Sequence, residues 1–127
     1  MNPTVELEHR FTFEAAHFLP HVPADHKCRR MHGHSFAAMV TVRGPIDPKK
    51  GWLVDYAEIK RAIAPLREQL DHHLLNEVEG LENPTSEMVA VWIWERLVST
   101  LPGLAEVRIE ETCNNACSYR GESTSNA

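Results

Sequence analysis

The chain predicts an α+β fold, an antiparallel sheet of four strands with two helices on one face. Three observations predict it. Stretches 4–17, 32–43 and 104–113 alternate apolar and polar residues with the period of two that marks a half-buried strand. Two stretches, opened by Asp55 and by Thr85 or Ser86, instead repeat apolar residues at helical spacing. The order is strand, strand, helix, helix, strand, with Cys117-Ser118-Tyr119-Arg120 as a short fourth strand and no internal repeat.

In the first strand, Val5, Leu7, Phe11, Phe13, Ala15 and His17 share one parity. Glu6, Glu8, Arg10, Thr12 and Glu14 share the other. His9 falls on the apolar side as a partly buried or edge histidine, and His17 falls there at the strand's end. Residues 18–31 form a loop broken by Pro20 and Pro23, in which His21 and His26 read as solvated. In the second strand, His32, His34, Phe36, Ala38, Val40 and Val42 take one face; Ser35, Thr41 and Arg43 take the other. Gly44 to Gly51 is turn chemistry.

Asp55 with Glu58 three residues on resembles a capping box. Ile59, Ile63, Leu66 and Leu70 give the first helix its apolar face, and Pro65 is expected to kink or divide it. Asp71-His72-His73 follows near its end, and Asn76 to Pro84 reads as a second loop. Val89, Trp92, Ile93, Arg96 and Leu97 give the second helix its period, with Pro102-Gly103 expected to end it. Trp52, Trp92 and Trp94 read as core and interface residues. In the last long strand Val107, Ile109, Glu111 and Cys113 share a face, so Glu111 points with the apolar set and needs a partner there. Residues 1–121 form one domain, and 122–127 read as a frayed, flexible tail.

Composition narrows the function classes. A length of 127 residues fits a single domain. A net charge of −5 argues against a nucleic-acid partner, which calls for a basic footprint. The apolar runs are too short to span a bilayer, and Met1 to Glu6 lacks the regions of a signal peptide. Three cysteines cannot all pair, and reduced cysteines suit metal binding or catalysis in the cytoplasm, the location this composition predicts.

The stretch Cys28-Arg29-Arg30-Met31-His32-Gly33-His34 concentrates the chemistry. Residues i and i+2 of a strand point to one face, so His32 and His34 approach one ion from one side. Parity brings His17 onto the apolar face of the neighbouring strand. His17, His32 and His34 thus form a candidate three-nitrogen zinc site with an open fourth position, as at catalytic zinc. A closed structural site with Cys28 as fourth ligand is the competing arrangement; the ligand count favours the open one. A free Cys28, beside a divalent cation and Lys27, Arg29 and Arg30, is set up as a base or nucleophile. Asp71 and His72 supply a proton-passing pair, against the plainer role of a polar helix end. Glu111 suits an anchor for a cationic or amide-rich ligand edge. Cys113 and Cys117 read as small packing residues.

These residues stand in recognisable motifs. Phe11 to His17, Cys28 to Ser35, Gly51 to Tyr56, Leu70 to Asn76, Glu82 to Glu87 and Glu111-Thr112-Cys113 resemble the 6-pyruvoyltetrahydropterin synthase / 6-carboxytetrahydropterin synthase family over nearly the whole chain. The three residues between Cys28 and His32 resemble the bacterial 6-carboxytetrahydropterin synthases of queuosine biosynthesis; animal enzymes carry a longer insert. The resemblance implies zinc on His17, His32 and His34. It implies Cys28 as proton acceptor, Asp71 and His72 as relay, and Glu111 on the amino and ring N–H edge of a pterin. Thr85 and Ser86 are implied as further pterin contacts. The implied substrate is 7,8-dihydroneopterin triphosphate. Its products would be 6-carboxy-5,6,7,8-tetrahydropterin, acetaldehyde and triphosphate, or a 6-pyruvoyl product if the side chain is kept. The implied fold is the tunnelling fold, with strands joined into trimeric barrels paired as hexamers and active sites between subunits. Lys27, Arg29 and Arg30 are candidates to hold the triphosphate, against a solvated loop.

Overall fold

The computed structural model describes residues 2–112 and 114–123, so Cys113 and most of the expected tail lie outside the described residues. Its elements are β1 (Thr4–His17), β2 (His32–Pro45), α1 (Tyr56–Leu70), β3 (His73–Leu74), α2 (Ser86–Leu97), β4 (Leu104–Glu111) and β5 (Asn115–Tyr119). The sheet order is β3-β1-β2-β4-β5. β1, β2, β4 and β5 pair antiparallel, whereas β3 runs parallel to β1 through Ala15↔His73 and Ala16↔Leu74.

The sheet is therefore mixed and five-stranded, which corrects the four-stranded antiparallel expectation. A two-residue strand is too short to show any period, so the sequence does not display β3. Side chains extend its pairing at both ends. The Asp71 carboxylate accepts from the Glu14 N–H at 2.9 Å, and the Asn76 carboxamide binds Phe18.

The long ladder runs from Thr4↔Pro45 to His17↔His32 without a slip. Register is strongly fixed here, because a shift by one residue would turn the whole apolar set to solvent. Phe13 lies opposite Phe36, both 1% exposed, with rings stacked at 4.9 Å and 8°. Burying each such ring contributes about 1.5–3 kcal/mol.

Both helices cover this face. Ile59, Ile63, Leu66 and Leu70 of α1, and Val89, Ile93 and Leu97 of α2, join Phe11, Phe13, Phe36, Val40, Val107 and Ile109 in one core. Asp55 caps α1 by accepting from the Ala57 N–H at 2.9 Å, but Glu58 turns to Arg61, so only half of the capping box forms. Pro65 does not divide α1, which continues to Leu70 with its apolar face fully covered. Thr85 caps α2 through the Met88 N–H. α2 ends at Leu97, before the expected stop. Gly103, at φ +88°, instead brings the chain against the Arg43 carbonyl on its way into β4; a Cβ there would meet that oxygen at 2.5 Å.

Trp92 is buried and donates its indole N–H to the Glu79 carbonyl, Trp94 is half-buried, and Trp52 is exposed. His9 is half-buried. His21 and His26 are exposed, as expected, and His26 also accepts the Cys28 N–H at 3.0 Å to hold the turn at Lys27–Arg29.

Candidate metal centre and active site

The β1–β2 register places the three imidazoles. His17 faces His32 across the ladder, and His34 lies two residues along β2 on the same face. Their ligand nitrogens all lie within 4.8 Å of one another. The ring centroids are 4.6 to 5.1 Å apart and every pair meets edge-on.

Backbone carbonyls orient two of the rings. His17 Nδ1 lies 2.8 Å from the Pro84 carbonyl, and His32 Nδ1 lies 2.8 Å from the Arg30 carbonyl. A carbonyl only accepts, so Nδ1 carries the proton in each ring and Nε2 is left as an electron-pair donor. This is how ligand histidines are usually fixed. His17 is 3% exposed, and burial lowers its pKa below 6.5 against the raising effect of the Pro84 hydrogen bond. It stays neutral and able to bind a metal at neutral pH. Three imidazole nitrogens within 4.8 Å of one another fit zinc.

A cavity of about 420 Å³ opens in front of this cluster, lined by His17, Lys27, Cys28, His32, His34, Glu111 and Asn115. Glu111 lies opposite Phe36 in the β2–β4 ladder, and its Oε1 is 3.8 Å from His17 Nε2. Cys28 is a free, half-buried thiol that shares the cavity without joining the group of donors within 4.8 Å. Of the three cations near Cys28, Lys27 alone lines the cavity; Arg29 donates to the Val22 carbonyl at 2.9 Å and braces the loop.

Asp71 and His72 lie elsewhere. Asp71 ends α1, and its Oδ2 is 2.9 Å from His72 Nδ1. The hydrogen bond from Glu14 N–H, then that from His72 and the charge of Arg67, hold the Asp71 carboxyl below its usual 3.8. His72 adopts a left-handed backbone, φ 60°, rare outside glycine and of a kind that gathers at functional sites. Its ring lines a second, open cavity of about 720 Å³ with Glu14, Ser35 and Thr112, residues of the parity opposite to the metal cluster. His34 and Gly33 border this cavity too. Within one chain His72 and Cys28 thus line different cavities, with His34 bordering both.

Thr85 and Ser86 do not line the cavity beside the histidines, and the Thr85 hydroxyl serves as helix cap. Cys117 packs against the core, and burial raises its pKa. Sequence reasoning missed Asn115, which stands opposite Glu111 in the β4–β5 hairpin and precedes the residues expected to form the last strand. It also missed the Pro84 and Arg30 carbonyls, because a backbone acceptor leaves no mark on residue type.

The comparisons with known proteins concern sequence and fold. The sequence model of 6-pyruvoyl tetrahydropterin synthase matches residues 6–122. A 6-carboxy-5,6,7,8-tetrahydropterin synthase of Synechocystis is 44% identical over 115 residues, covering 86% of this chain and 88% of the relative. A dihydroneopterin monophosphate aldolase of Pyrococcus furiosus is 37% identical over 75% of this chain and 76% of its own. The structure of Caenorhabditis elegans 6-pyruvoyl tetrahydropterin synthase superposes with a TM-score of 0.87 at 32% identity, covering 95% of this chain and 98% of that one. No helix among the described residues is long and apolar enough to cross a membrane. By motif, fold and match over nearly its whole length, the chain belongs to the 6-pyruvoyl tetrahydropterin synthase family.

Proposed function

We propose that the chain is a zinc-dependent carbon–carbon lyase. With one water it converts 7,8-dihydroneopterin triphosphate to 6-carboxy-5,6,7,8-tetrahydropterin, releasing acetaldehyde and triphosphate, as a cytoplasmic step of queuosine synthesis. The observation that carries the reading is the cavity that joins three converging imidazoles to a thiol outside their ligand set. The likeness to the Synechocystis enzyme supports the carboxy product.

His17, His32 and His34 hold the metal. Zinc supplies Lewis acidity toward a substrate oxygen when bound. Cys28 accepts the proton from the adjacent side-chain carbon, which its place in the same cavity allows. Glu111 accepts hydrogen bonds from the pterin amino and ring N–H edge, giving its carboxylate the partner that its half-buried position calls for. Thr85 and Ser86 are secondary contacts at most, with the Thr85 hydroxyl already engaged. Lys27, alone of the basic cluster in lining the cavity, holds the triphosphate.

Asp71 and His72 relay protons in the cavity of a neighbouring chain. Support for this comes from His72 lining a cavity other than that of Cys28, with His34 bordering both. The active assembly is then a homo-oligomer of trimeric barrels, paired as a hexamer, with sites between subunits.

The second reading is 6-pyruvoyltetrahydropterin synthesis, favoured by the family model and by the Caenorhabditis elegans structure. Mass spectrometry of products from dihydroneopterin triphosphate separates the two. The carboxy product with acetaldehyde supports the lyase; a retained side chain replaces that reading with the second.

A further inference from the structure

We infer that Asn76 is a positioning residue for the metal centre, acting through His17. The inference rests on the zinc reading above.

β1 meets β3 through Ala15 and Ala16 only, and β3 stops at Leu74. His17 comes next on β1, where the pairing with β3 has run out while that with His32 on β2 continues. Asn76 takes over one residue further on. Its Oδ1 accepts the Phe18 N–H at 3.0 Å, and its Nδ2 donates to the Phe18 carbonyl at 2.8 Å. Only this orientation of the amide satisfies both groups of Phe18, since an N–H cannot accept and a carbonyl cannot donate. One side chain thus imitates the paired hydrogen bonds of a strand. His17 is gripped on both sides, by the ladder at Ala16 and by the amide at Phe18.

Nδ2 also reaches the Glu82 carbonyl at 3.5 Å, the outer limit of a hydrogen bond. Glu82 starts the segment whose Pro84 carbonyl receives His17 Nδ1 at 2.8 Å. Asn76 therefore ties together the strand end that carries the ligand and the loop that orients its ring. Loss of the amide frees Phe18 and loosens the Pro84 carbonyl from His17, while His32 keeps its own acceptor at Arg30. Groups that orient ligand histidines are worth about 10–100-fold in metal affinity.

The test uses the full chain with Asn76→Ala and Asn76→Asp. Aspartate keeps an acceptor for the Phe18 N–H and removes the donor to the Phe18 carbonyl. Zinc affinity is measured by chelator competition well below the unfolding temperature. His17 ring nitrogen shifts are recorded by NMR in the metal-free chain. The expected result is a folded chain whose zinc affinity falls about 10–100-fold, and whose His17 leaves the single Nδ1–H tautomer for a mixture. Affinity within about twofold of the parent with an unchanged tautomer overturns the inference, even if the melting temperature falls. If Asn76→Ala does not fold, Asn76→Asp decides by the same two readouts. If the parent itself binds no zinc, the zinc reading fails, and the His17 tautomer alone decides whether Asn76 positions the ring.

Discussion

His17 stands directly opposite His32 in the β1–β2 ladder, and their rings meet edge-on with centroids 4.6 Å apart. The register that stacks Phe13 on Phe36 in the core also closes this pair. One register along these two strands therefore sets both the core pair and the histidine pair. If His17 is a zinc ligand, replacing it by alanine removes a buried imidazole anchored to Pro84 and should cost zinc affinity at least tenfold or so. Metal content after gel filtration checks it. Parental zinc content in His17→Ala would contradict the three-nitrogen site.

His72 carries a side chain at φ 60°. Glycine accepts that backbone freely, whereas a β-branched residue does not. His72→Gly should unfold at no lower denaturant concentration than the parent, and His72→Val should be less stable by about 1–2 kcal/mol. Both should lose most turnover. An active His72→Gly enzyme would remove the ring from the mechanism.

If Asp71 and His72 serve a neighbouring chain's cavity, two crippled variants should complement. Cys28→Ala mixed with His72→Ala, after reversible dissociation, should recover activity that neither shows alone. Failure of mixed oligomers to recover any activity contradicts a site shared between chains.

Two of the lowered pKa values, those of His17 and Asp71, shape the pH dependence of the metal-free chain. Burial holds His17 below 6.5 in the folded state, so between that value and its folded pKa the unfolded chain binds more protons. Stability is full above pH 6.5 and falls as pH drops through the folded value. Asp71 sits below 3.8, chiefly because of the Glu14 N–H. Its contribution is present above pH 3.8 and is lost as pH falls through its own folded value. Urea midpoints from neutral to acid pH should show the first loss beginning near 6.5, reduced in His17→Gln. Identical slopes in parent and variant would contradict it.

Glu111 shares the cavity of the three imidazoles, and the proposed function gives it the pterin edge. A hydrogen bond to a charged group is worth about 1.5–3 kcal/mol. Glu111→Gln should therefore lower kcat/KM about 10- to 150-fold, with zinc content unchanged. Unchanged kcat/KM would take the anchor role from Glu111.

Strand parity makes much of this arrangement legible in the amino-acid order alone. Over the length of β1 and β2 a period of two has room to declare itself, and it puts His17, His32 and His34 on one face. Glu111 follows by the same argument on β4. What escapes is carried by short elements and backbone atoms. β3 has two residues, and its clamps at Asp71 and Asn76 are side chains imitating a strand. The acceptors for His17 and His32 are main-chain oxygens. His72 carries a left-handed backbone, which no spacing announces.

The central claim is that Cys28 works beside the metal rather than on it. Its most direct test is zinc content and turnover of Cys28→Ala with dihydroneopterin triphosphate. The predicted result is zinc retained at the parental level, with turnover reduced by about 10²–10⁴-fold, the scale of a lost general base. Zinc lost together with the thiol would contradict it, and would make Cys28 the fourth ligand of a closed site.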